Sequence, residues 1–92
     1  MLVASLAGGG CGGALPVATA GDAARAGVQL AELQQGRSLV AAKCGSCHAT
    51  PQPTEHRAGE WPRMLDEMAR RSNLDGSQRQ VMREYLVTMA SR

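Results

Sequence analysis

Apolar residues recur at helical spacing over most of the chain beyond residue 21. Leu30, Leu33, Val40 and Cys44 fall at i, i+3, i+10 and i+14. That places them on one stripe and predicts a single helix over 22–43, with Asp22 as its N-cap. Gly36 lies inside this helix, where glycine costs about 1 kcal/mol against alanine. It marks either a close crossing with another helix or a break between Gln35 and Arg37. Trp61, Met64, Leu65 and Met68 recur at i, i+3, i+4 and i+7 and predict a second helix. Pro62 suits its first turn and Asn73 its stop. Ser77-x-x-Gln80 reads as a capping box that opens a third helix, running to about Ala90. Val81, Met82, Tyr85, Leu86 and Met89 give that helix a broad apolar face. Residues 49–59 carry neither period and are punctuated by Pro51 and Pro53, which predicts a loop. No stretch alternates with period two for long enough to propose a strand, and there is no internal repeat. The pattern implies an all-α fold of about three helices.

Composition adds a difficulty. The 92 residues include nine Leu and six Val but no Ile and no Phe. The hydrophobic share is 43%, yet its largest part is alanine, which buries little area. A chain this short with so few large apolar side chains usually needs a disulfide, a metal, a cofactor or a partner to fold. Net charge is only +2, from 10 basic and 8 acidic residues, so neither high-charge disorder nor a nucleic-acid footprint is indicated.

The first 21 residues hold no charged side chain and read as a leader, with the domain proper at 22–92. Six glycines among residues 8–21, with Pro16, make this stretch a poor membrane helix. Two export readings compete. Ala18-Thr19-Ala20 has the A-x-A form of a signal-peptide cleavage site. Alternatively, Cys11 after Gly10 is the lipidated cysteine of a bacterial lipoprotein, although Gly8 stands where that signal usually has Leu. No Lys or Arg lies near Met1, as either signal would prefer. A disordered Gly/Ala leader is the third reading.

Of three cysteines, two stand in Cys44-Gly45-Ser46-Cys47-His48, and Cys11 is left over. C-x-x-C-H is the signature of covalent haem attachment. Thiols at this spacing add to two vinyl groups on one porphyrin edge, and the adjacent imidazole then reaches iron. A thioredoxin-like pair needs a preceding strand, and here a helix precedes. A zinc site of Cys44, Cys47, His48 and His56 has awkward spacing for a tetrahedral cage. Haem also answers the composition. Several hundred Å² of apolar ring at about 25 cal/mol per Å² rivals all the aliphatic side chains of this chain.

Around these residues the sequence resembles a small monohaem cytochrome c of class I type. The resemblance covers residues 34–90. It rests on Gly36-Arg37-x-Leu39-Val40 leading into Cys44-x-x-Cys47-His48, then Trp61, Met68 and a closing helix with Tyr85-Leu86. It implies a cytochrome c-like fold around one covalently bound haem c, with the first and last helices crossing closely. It also implies that a Met seven residues after the Trp is the second axial ligand, which selects Met68; Met64, one turn earlier, is the alternative. Thioether sulfur favours Fe(II) and raises the potential. The ring N–H of His48 then has the carbonyl of Pro51 or Pro53 as its nearest rigid acceptor. Arg57 and Arg63 are candidates for the haem propionates, Trp61 for a wall of the haem edge, and His56 for a surface histidine. Arg70-Arg71 reads as a solvated helix end.

The function these readings imply is one-electron transfer by an exported, periplasmic protein of a Gram-negative bacterium, with His/Met iron ligation. Its partners are redox donors and acceptors, and its only membrane link, under the lipoprotein reading, is a lipid at Cys11. It is not itself an enzyme; it is a free carrier or a subunit of a periplasmic dehydrogenase. The alternative is a gas sensor or small catalytic subunit with an open sixth iron position.

Overall fold

The computed structural model describes residues 14–44 and 50–92. Cys11, Cys47 and His48 lie outside the described residues. The fold is all-α, with four helices and no strand among the described residues.

Helix α1 spans Ala20–Ala26 and α2 spans Leu30–Leu39. The single helix predicted over 22–43 is therefore two. The break falls at Gly27, which adopts left-handed φ 72°, a conformation glycine reaches without a Cβ penalty. Val28 N–H bonds to Ala23 O at 3.1 Å and Gly27 N–H to Ala24 O at 3.3 Å, the paired bonds of a Schellman stop. The N-cap of α1 is Thr19 rather than Asp22. Asp22 occupies the third helical position and closes a capping box from inside the helix.

Gly36 sits within α2 and is buried. A Cβ there would overlap the Val81 carbonyl oxygen and crowd Tyr85, so the glycine marks a close helix crossing and not a break. Beyond Leu39 the chain continues as one π-helical turn over Val40–Cys44, with Val40 and Cys44 buried. The region 50–60 carries two short 3₁₀ turns, Pro53–Glu55 and Ala58–Glu60, where the sequence pattern predicts only loop.

Helix α3 spans Trp61–Ser72, with proline in its first turn, and Asn73 ends it at left-handed φ 59°. Helix α4 spans Gly76–Ala90. Its cap is the Asp75/Gln78 box, two residues ahead of the expected Ser77/Gln80; Ser77 lies inside the helix and donates to Asp75 Oδ1 at 2.8 Å. These hydrogen bonds, from Gln78 N–H first, hold the Asp75 carboxyl below its usual range. The expected apolar face of α4 is buried throughout: Val81, Met82, Tyr85, Leu86 and Met89. Helices α2 and α4 form the most extensive pairing in the fold.

The packed unit begins ahead of residue 22. Residues 14–19 have no regular structure but lie against the helices, with Leu15 and Ala18 buried. Arg37 donates to Leu15 O from Nε at 3.1 Å and from Nη2 at 2.9 Å. Tyr85 Oη donates to Pro16 O, and Arg92 Nη2 to Val17 O at 3.0 Å. Burial pushes the Tyr85 phenol up to about 12. Asp22 binds Arg92 at 2.9 Å and Arg25 at 2.8 Å. The Arg92 guanidinium, with the Thr19 backbone N–H, holds the Asp22 carboxyl far below the usual carboxylate range.

Candidate functional site

The π turn at the end of α2 delivers Cys44 to a cavity of about 390 Å³. Turns of this kind are rare and concentrate at functional sites. The opposite side of the cavity is α3, whose stripe presents Trp61, Met64 and Met68. Met64 and Met68 are both half-buried, and both face this space. The sequence offers Met68 as the ligand with Met64 as the alternative; the structure puts both on one wall. Met82 and Met89 belong to the closed core beneath α4.

Trp61 is 1% exposed and is fixed from two sides. Its Nε1 donates to Pro53 O at 2.9 Å. The His56 ring stands edge-on to the indole, with centroids 5.0 Å apart and planes at 86°. His56 is therefore a cavity-lining residue braced on Trp61, not merely a surface histidine. The Pro53 carbonyl serves the indole, while Pro51 lines the cavity.

The charged lining also differs from expectation. Arg57 borders an adjoining hollow with Thr54 and Glu55, and Arg63 is exposed. Lys43 and Arg71 line this one, with the Glu55 carboxylate as the acidic member. Arg71 and Ser72 continue the Trp61–Met68 stripe by one more turn, a signal the sequence pattern did carry. Arg71 thus has a place beyond that of a solvated helix end.

No family model, no curated protein and no solved structure matches this chain. The site stands on its own chemistry. Among the described residues no cluster of three or more His, Cys, Asp or Glu could hold a bare metal ion. No described helix is long and apolar enough to cross a membrane.

The residues present suit a flat, apolar group that carries its own metal and acidic substituents. Cys44 offers a nucleophilic sulfur and Met64 and Met68 offer soft thioethers. Trp61 and Pro51 offer apolar surface, and Lys43 and Arg71 offer positive charge for carboxylates.

Proposed function

We propose that this protein is a periplasmic one-electron carrier that holds one haem c through Cys44 and Cys47, with His48 and Met68 as the axial ligands. The observation that carries the reading is the meeting of Cys44 with Met64 and Met68 around one cavity, at the head of a C-x-x-C-H run. When bound, the group supplies reversible one-electron chemistry at iron. Cys44 and Cys47 would hold the group as thioethers, each S–H adding across one vinyl double bond, an addition that would need no oxidant. The π turn that brings Cys44 to the cavity supports this role. Met68 supplies a soft sulfur that prefers Fe(II). Trp61, locked by Pro53 and His56, keeps water off one wall. Lys43 and Arg71, which line the cavity, would offer the charge that carboxylate substituents need.

Two half-buried thioethers on the same wall support a filled sixth position over an open one, and so a carrier over a gas sensor. The partners are redox donors and acceptors. Export would put the protein in the periplasm, and the lipoprotein reading of Cys11 would supply its only membrane link. Acid–acetone extraction tests the reading. The colour should stay on the polypeptide, and Cys44→Ala with Cys47→Ala should yield colourless, unstable protein. Pigment that extracts freely from the wild type would end the proposal.

A further inference from the structure

We propose that residues 14–19 are a permanent strap of the mature domain, so that any export processing cuts ahead of Ala14 and not after Ala20. The strap is argued from packing alone; only its export setting rests on the reading above. Ala18-Thr19-Ala20 has the small residues that a signal peptidase accepts, but the fold uses this run. Ala18 is 4% exposed. The Thr19 hydroxyl accepts from Asp22 N–H at 3.2 Å and donates to Asp22 Oδ2 at 3.0 Å, which starts α1.

A cut after Ala20 would remove more than a cap. Buried Leu15 would go, and with it the carbonyls of Leu15, Pro16 and Val17. Those three carbonyls are acceptors for Arg37 on α2, Tyr85 on α4 and Arg92 at the end of the chain. The strap therefore ties together parts of the molecule that are remote in sequence. Tyr85 is fully buried, so its hydroxyl would lose an acceptor where water is scarce. Asp22 would lose the Thr19 N–H that bonds its carboxylate at 2.8 Å. What remains for processing is the small-residue segment at 1–13, the Gly10–Cys11 bond included.

The experiment expresses the full chain in a Gram-negative host and reads the N-terminus of the product by intact mass. The expected terminus lies at or before Ala14, and Met1 itself would also support the strap. Ala20→Gln, at an exposed position, makes the run unfit for the peptidase. The mature mass should then shift by that substitution alone. A chain that starts at Gly21 should melt at least about 10 °C below one that starts at Ala14, given that each kcal/mol moves a domain of this size by about 4–8 °C. A natural product beginning at Gly21, or equal melting midpoints, overturns the proposal. Covalent haem is measured on the same samples by its visible absorption, so a failed haem reading is scored separately from a failed strap.

Discussion

The crossing of α2 and α4 and the wall formed by α3 are built to different standards of closure. At the crossing, Leu33, Val40, Met82, Tyr85 and Leu86 are shut off from solvent, and a glycine lets two backbones meet. Polar groups there are paired: Tyr85 with Pro16, Arg37 with Leu15, and Arg92 with both Val17 and Asp22. Along α3 only Trp61, Leu65 and Ala69 are buried, while Met64 and Met68 stay half-covered beside the 390 Å³ cavity. The first region closes the core, and the second is where the proposed ligand would sit. The small apolar content of the chain is concentrated where it closes a core, and the flexible thioethers are left where a ligand would finish the packing.

The sharpest way to break this contrast is Gly36→Ala. On helix propensity alone the change should stabilise α2 by about 1 kcal/mol. The new methyl would instead meet the Val81 carbonyl, a backbone atom that cannot rotate away. A net loss of about 1–3 kcal/mol is expected in a denaturant titration, as for other overpacked sites. A gain would mean that the crossing is looser than described.

Next in size is Asp22→Asn, which tests the ion pairs below the crossing. The folded carboxyl titrates below its unfolded value, so its contribution is present above about pH 4 and fades as pH falls through the folded value. Melting curves of the variant and the wild type should therefore differ at pH 7 and draw together below about pH 4. A gap that persists unchanged into acid would remove the electrostatic account.

Met68→Ala should have the smallest effect on stability, about 1 kcal/mol for a half-buried side chain. It should nevertheless abolish the weak far-red band of Met–Fe(III) ligation and open the iron to CO. Met64→Ala should cost as little and keep the band. Reversal of the two outcomes would transfer the ligand role to Met64.

How far the fold was readable follows the same division. Helices α3 and α4 were legible because their signals are local: Pro62 at the start, Asn73 at the stop, and a dense apolar face. Gly27 and Gly36 look alike in a helical pattern, yet one ends a helix and the other is pressed against a neighbour. Only the backbone around the first and the partner of the second distinguish them. The caps were missed by a few residues because Thr19-x-x-Asp22 and Asp75-x-x-Gln78 compete with equally good local patterns. The strap was invisible, since it has no period and its bonds reach side chains 22, 69 and 75 residues away. At the site, Cys44, Met64, Met68 and Trp61 were found from motif and stripe. Lys43 was missed because a charge beside a cavity looks in sequence like any solvated charge, and Arg71 because, although it continues the Trp61–Met68 stripe, it stands beside Arg70 where a solvated helix end is expected.

The π turn over Val40–Cys44 makes the direction of the Cys44 thiol a matter of chain length. A turn of this kind holds one residue more than an α-helical turn, so the residue that follows is rotated relative to ordinary helical phase. Ala41 and Ala42 are exposed and small, so exchanging either for another helix former leaves that phase alone. Deleting one of them does not. The turn would close as regular helix, and everything after it would swing by about 100°, the angle of one residue at 3.6 per turn. Homologous chains, if they share this device, should vary freely in the letters between Val40 and Cys44 and hardly at all in their number.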